Sequence, residues 1–396
     1  MIKLSLLSFR RAIITSPFLL LIVFLVLTGK NLQACTALYM KAGNKILAGN
    51  NEDFSNPETR IWFVPAGENG TYGRMLFGFN DLSSQGGINE KGLWFDAFGL
   101  PTKAVRSLQG EIYPGDLQEK LLAECANIND VVLMLKKYSR ASMTRYQWMF
   151  GDSFGNSAVI EADTIIMRQG NYQVITNFRQ SEFPHGNGYD CPRYQIANSL
   201  LDTCKDATVD AFRKILSATH SEGEDVTLYS YIADLARGLV YVYHFHNFEN
   251  VVILDIKKEL AKGKHVYNLP DLFPKTNAAE SFTYWRRKEL ADKKESRRYK
   301  EFDLKTLQEY CGRYMITSPA VMDKQIITIS EGIDLLNLQL NGGGFYEVIP
   351  ESAQSFCMLG YGGLDFICRF RRNDSKIVEG LIMEGSGLSI VAELIK

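Results

Sequence analysis

A cysteine that becomes the first residue of a chain carries two reactive groups, a thiol with a pKa of about 8.5 and an α-amino group near 7.7–8. Either can take or give a proton close to neutral pH, so the pair serves as nucleophile and base without a distant histidine. Cys35 stands where this chain is expected to be cut. Lys3, Arg10 and Arg11 give a basic start, Phe18 to Leu27 is almost wholly Leu, Ile, Val and Phe, and Thr28 to Ala34 is polar. These are the three parts of a secretory signal. The apolar run is shorter than the about 20 residues of a bilayer span. Residues 1–34 are therefore read as a signal peptide and the mature chain as exported, periplasmic or extracellular. Two other fates stay open, a retained N-terminal anchor and lipidation, because Leu32-Gln33-Ala34-Cys35 also has the form of a bacterial lipobox. Lys30 and the polar spacer after Leu27 argue against the lipobox, which normally abuts the apolar run. Membrane anchoring follows only if Cys35 is lipidated.

The stretch CTALYMKAGNKILAGNNEDF, residues 35–54, resembles the opening of the choloylglycine hydrolase and penicillin V acylase family, N-terminal-nucleophile hydrolases that cleave linear amides. Where that family has Gly-Arg-Asn-x-Asp-aromatic, this chain has Gly49-Asn50-Asn51-Glu52-Asp53-Phe54, with Asn50 in the place of the arginine. Three more segments match in the family's order: GGINEKGL from Gly86 to Leu93, Val174-Ile175-Thr176-Asn177, and Arg193-Tyr194. The resemblance covers residues 35–274, and Pro57, Thr59, Trp62, Phe63 and Pro65 are similar to its linear amide hydrolase branch. It implies an αββα sandwich, no metal or organic cofactor, a small-molecule N-acyl amide as substrate, and a catalytic set of Cys35, Asp53, Asn89, Asn177 and Arg193. In that set Asp53 hydrogen-bonds the amino group of the nucleophile.

Amide cleavage makes its own demands on these residue types. Thiolate attack creates an oxyanion, which needs donors already in place about 2.7–3.1 Å away. The resemblance assigns this to the Asn177 side chain and the backbone N–H of Asn89. A carboxylate at Asp53 raises the pKa of the nearby ammonium and fixes its direction. A cation at Arg193 favours an ionised thiol. The expected course is attack by the Cys35 sulfur, proton relay through its own amine to the leaving amine, and hydrolysis of the thioester by water. An acyltransferase using the same acyl-enzyme is the first alternative. A lipid-anchored envelope binding protein is the second.

The elements that must hold these residues are legible as blocks. CTALYMKA and KILAGNNEDF flank the turn Gly43-Asn44, a tight-hairpin signal. Strands follow in RMLFGFN and GLWFDAF, helices near 116–125 and 129–137, then strands in QWMFGDSFGNSAVIEA and YQVITN. Helices are assigned to 194–201, 210–218 and 228–235, and strands to YVYHF and NVVILDI. Segregated blocks of strand and helix indicate an α+β fold. The aromatic residues Trp62, Phe63, Phe79, Trp94, Phe95, Phe98, Trp148 and Phe178 are read as core before pocket. Domain one is placed at 35–280, a mixed-sign charged linker or solvated helix at 281–302, and a small antiparallel β-barrel or sandwich at 303–396, an accessory domain without an acid-base pair.

Composition narrows the partners. A net charge of -1 and a pI near 6.6 give no basic face for nucleic acid. Homo-oligomerisation stays open. Besides Cys35 there are Cys125, Cys191, Cys204, Cys311, Cys357 and Cys368, whose pairing the spacing does not decide, although Cys191 with Cys204 and Cys357 with Cys368 are neighbours in sequence. The five histidines are scattered, and no Cys/His cluster has zinc-site spacing.

Overall fold

Alternation along the first hairpin already requires a layer on each side of its sheet. Ala37, Tyr39, Ile46 and Ala48 are buried in one core, while Leu38, Met40 and Leu47 are buried in another. The computed structural model describes residues 35–395 apart from 104–109, 114, 142, 224, 341–343, 364 and 386, so the expected signal peptide lies outside the described residues. Along the chain, β1 (Thr36–Ala42) and β2 (Lys45–Phe54) lead to β3 (Thr59–Val64), β4 (Arg74–Phe79), β5 (Ser84–Asn89) and β6 (Trp94–Gly99). Helices α1 (Leu117–Glu124) and α2 (Ile128–Leu135) precede β7 (Tyr146–Gly151), β8 (Ser157–Ile160), β9 (Ile165–Met167) and β10 (Tyr172–Ile175). After α3 (Pro192–Thr203) and α4 (Val209–Ala218) come β11 (Val226–Asp234), β12 (Leu239–His244), β13 (Asn247–Asp255), α5 (Ile256–Leu260), β14 (His265–Asn268) and α6 (Asn277–Arg297).

Two antiparallel sheets result. One has the order β10-β1-β2-β11-β12-β13, the other β14-β3-β4-β5-β6-β7-β8-β9. Tyr39, Ala48 and Tyr231 from the first sheet share a core with Phe63, Phe77, Trp94 and Phe98 from the second. Helices α1 and α2 cover the outer face of the second sheet through Leu121, Leu122, Ile128 and Val131, which pack with Trp62, Phe95 and Trp148. Helices α3 and α4 cover the outer face of the first through Ala197, Leu201, Phe212 and Leu216. The layers run helix, sheet, sheet, helix, which is the expected αββα sandwich.

The segment 228–235, expected as helix, is instead most of β11. Tyr229, Tyr231 and Ala233 enter the intersheet core while Ile232 packs on the helical side. A central strand buried on both faces reads as an unbroken apolar run, which periodicity alone does not separate from a buried helix.

The C-terminal strands form a closed barrel of β15 (Gly312–Ser318), β16 (Ile326–Glu331), β17 (Leu336–Leu340), β18 (Phe345–Pro350), β19 (Ser355–Met358), β20 (Phe366–Arg372), β21 (Val378–Gly385) and β22 (Leu388–Leu394). Tyr314, Ile327, Leu338, Val348, Phe356 and Leu381 fill it, as an eight-stranded cylinder allows. The charged stretch after residue 281 is helical through Arg297, continuous with Asn277. This helix α6 buries Ala279 against Val226 and Phe245 of the sandwich. Its Lys293 and Lys294 pair with Asp365 and Glu347 of the barrel, both ion pairs being within 2.7 Å. All described cysteines are free thiols. Cys191 and Cys204 cap opposite ends of the 12-residue α3, about 20 Å apart by helical rise, beyond the reach of a disulfide. Cys368 faces the barrel interior, whereas Cys357 packs outside it with Ile349 and Leu359.

Gly151 marks a close approach between the sheets, since a Cβ there would meet Tyr39 Cδ2 at 2.5 Å and Trp94 Cε3 at 3.4 Å. Gly151→Ala is expected to destabilise the sandwich by about 1–3 kcal/mol. A urea titration should show a lower midpoint with an unchanged slope; an unmoved midpoint would contradict this packing.

Candidate active site

Cys35 immediately precedes β1, and its side chain lies in the intersheet core, 2% exposed. Pairing of Thr36 with Asn51 sets Cys35 beside Glu52. Its Sγ is 3.9 Å from Glu52 Oε1 and 3.7 Å from the Asp53 carbonyl oxygen. On the helical side of the same strand, Pro192 begins α3 and delivers Arg193 in the first turn. Arg193 Nη1 donates to the Cys35 carbonyl at 2.7 Å and to Thr36 Oγ1 at 2.9 Å. Its Nη2 donates to Asn177 Oδ1 at 3.3 Å, and Nη1 stands 3.8 Å from Asp53 Oδ2. One guanidinium thus gathers four of the five residues singled out in the sequence: Cys35, Asp53, Asn177 and Arg193.

Asn177 is presented by a backbone clamp. The buried Gln147 amide donates to the carbonyls of Thr176 and Phe178, at 2.8 and 2.9 Å, on either side of it. Asn177 Nδ2 then donates to the Gly99 carbonyl at 3.0 Å. At the end of β6, Gly99 lies opposite Tyr146, while the next N–H, that of Leu100, bonds the Arg145 carbonyl. Alternation of an antiparallel ladder therefore turns both the carbonyl and the N–H of Gly99 away from β7, toward Asn177.

Asn89 does not join the group. Its Nδ2 donates to the carbonyls of Leu122 and Cys125, at 2.7 and 2.8 Å, and its Oδ1 accepts from Lys91 and Leu93. Its backbone N–H bonds the Leu93 carbonyl. The backbone N–H expected to serve an oxyanion is thus spent in closing the β5–β6 turn, and the side chain ties that turn to the end of α1. The N–H of Gly99, which motif spacing did not single out, is directed to the Asn177 side by the same alternation.

The electrostatics also depart from expectation. Arg193 donates to the carbonyl of the nucleophile. The thiol instead faces burial and the carboxylates of Glu52, Asp53 and Asp96, which hold its pKa well above the usual range. Glu52 is pushed up to about 8 by burial, opposed by hydrogen bonds from Asn50 and Cys35 and by the nearby Tyr229 hydroxyl. Burial likewise raises Asp53, against the Thr227 hydroxyl and the Arg193 charge. Asp53 Oδ1 accepts from Thr227 Oγ1, while its buried Oδ2 has no hydrogen-bond partner. Beyond Glu52, Trp94 Nε1 donates to Tyr231 Oη at 2.8 Å and Tyr231 Oη donates to Asp96 Oδ2 at 2.5 Å. The signal for Asp96 was available in the sequence: it is the lone charge inside the apolar run LWFDAFG.

Glu52 gives the site a pH signature. Its folded pKa of about 8 exceeds the ordinary 4.5, so across that window the native state holds a proton that the unfolded chain has released. Stability attributable to this group falls as pH rises through the window. The melting temperature of Glu52→Gln, relative to the parent, is expected to climb between those two pH values. A difference independent of pH would show that Glu52 is not a buried acid of this kind.

No protein-family model matches the sequence, and no curated protein does. Among solved structures, the chain is similar to a variant of conjugated bile acid hydrolase from Clostridium perfringens, at 19% identity and a TM-score of 0.46, with 59% of this chain and 96% of that chain covered. A second mutant form of the same hydrolase gives 19% identity and a TM-score of 0.47 over the same shares. Penicillin V acylase from Agrobacterium tumefaciens gives 17% identity and a TM-score of 0.38, with 59% and 90% covered.

Proposed function

We propose that this chain is an exported cysteine-nucleophile amidohydrolase that cleaves a linear N-acyl amide through a thioester acyl-enzyme. The observation that carries the reading is the Arg193 guanidinium, bound at once to the Cys35 carbonyl and to Asn177 beside a buried Asp53. Removal of residues 1–34 turns the Cys35 amide nitrogen into a free amine. Asp53 Oδ2, buried and lacking a hydrogen-bond partner, supplies the acceptor that an ammonium group at this position needs. The Cys35 sulfur attacks the amide carbon, its proton passes to the α-amine, and the α-amine delivers it to the departing amine. Asn177 Nδ2, whose amide plane is fixed by Arg193 at the Oδ1 end, and the Gly99 N–H are the donors for the oxyanion. Water activated by the same α-amine then hydrolyses the thioester.

The test begins with the chain exported from a bacterial host. Intact mass and N-terminal sequencing should give a mature chain starting at unmodified Cys35. Incubation with a panel of N-acyl amides should yield an acyl adduct on that chain but none on Cys35→Ser. Asn177→Ala is expected to lower turnover by about 10²–10³. An acylated or uncleaved N-terminus, with no adduct on any amide, would sink the reading. Acylated amine formed when acceptors are added would identify acyl transfer in place of hydrolysis.

A further inference from the structure

Histidines far apart in sequence converge at one edge of the sandwich. His220 follows α4 and His246 sits in the turn between β12 and β13, and their ring centroids are 5.0 Å apart. With Glu222 they offer ligand atoms that all lie within 4.8 Å of one another. Each ring is held from behind by the backbone. His220 Nδ1 lies 2.6 Å from the Ser217 carbonyl oxygen, which places the proton on Nδ1 and the lone pair on Nε2. His246 is hydrogen-bonded to the Ser221 backbone, while its buried Nε2 has no partner. Glu222 Oε1 stands 3.0 Å from His220 Nε2.

Two lone pairs and a carboxylate therefore share one small space. A proton between His220 and Glu222 satisfies that pair and leaves His246 Nε2 unmatched. A divalent cation satisfies all three. Two imidazoles and one carboxylate, with ring N–H groups donated to backbone carbonyls, are a ligand set and an outer shell that zinc takes.

We propose that His220, Glu222 and His246 form a binding site for one divalent transition-metal ion, zinc by its donor set, completed by water. The site lies on the segment that orients Asp53. Ser221 N–H donates to Thr227 Oγ1 at 2.8 Å, Thr227 N–H donates to the Ser221 carbonyl at 3.0 Å, and the Thr227 hydroxyl donates to Asp53. A metal here clamps the 220–222 segment against the β12–β13 turn and stiffens the support of Asp53; it touches none of the reacting atoms.

The metal-free mature chain, titrated with Co²⁺, is expected to bind one equivalent with the visible bands of a four-coordinate nitrogen and oxygen site, and to lose them on adding Zn²⁺. Zn²⁺ should also raise the melting temperature in a concentration-dependent way. His220→Ala and His246→Ala should abolish the bands, and the exposed His185→Ala should keep them. Glu222→Gln, at a side chain 73% exposed and so without risk to folding, should weaken binding by at least about 10-fold. Absence of saturable binding, bands that survive in Glu222→Gln and the histidine variants, or a thiolate-to-cobalt charge-transfer band would each overturn the assignment.

Discussion

Cys35, Asp53 and Asn177 meet at the candidate site around one planar cation. A guanidinium cannot shed its proton in a protein, and its fixed fork holds several acceptors at defined angles. Arg193 sets that fork against a main-chain carbonyl, a threonine hydroxyl and an amide oxygen, with the Asp53 carboxylate 3.8 Å away. The geometry orients groups more than it neutralises them. With its side chain 22% exposed, the cation keeps part of its hydration, while Asp53 is sealed on the inner side. Asp53 thus depends on the Thr227 hydroxyl and on a charge just out of hydrogen-bonding range, and burial raises its pKa accordingly.

The other face of the first sheet follows a different logic. Glu52, Asp96, Tyr229 and Tyr231 are all buried between the sheets, where an unpaired charge is costly. Phe77 stacks on Tyr231 with centroids 4.3 Å apart and near-parallel planes, and on Tyr229 at 5.6 Å. Gly86 opposite leaves room for Asp96, since a Cβ there would come 2.5 Å from its Oδ2. The polar groups are supported by neighbours sized to fit them, in a core that aliphatic residues would fill at less electrostatic cost. The thiol of Cys35 sits at the margin of this acidic interior, so its ionisation is opposed from the inside and its backbone is held from the outside.

What the sequence made legible was what local spacing controls. The first hairpin was readable because β1 and β2 alternate around Gly43, whose φ of 58° suits glycine, and the short barrel strands because Gly, Asn and Asp punctuate them. Helix α4 was readable from Phe212, Ile215 and Leu216, which fall on one face. Cys35, Asp53, Asn177 and Arg193 were found through ordered motifs and meet in space. Asn89 belongs to the same kind of motif, yet the asparagine that closes a turn and the asparagine that faces a site share one local pattern; only the carbonyls of Leu122 and Cys125 separate them. The convergence of His220 with His246 is likewise invisible in spacing, because it depends on how far α4 and the β12–β13 turn travel before they meet.

The barrel closes by pairing its first strand with its last. Tyr314 lies opposite Leu394 and Met315 opposite Glu393, so no intermediate subset of strands is without edges. As the chain emerges from synthesis, the cylinder stays an open, curling sheet with two unpaired flanks until β22 has been made. Closure therefore waits for the eighth strand, and the interval before it is the time when those flanks are available to pair with another chain.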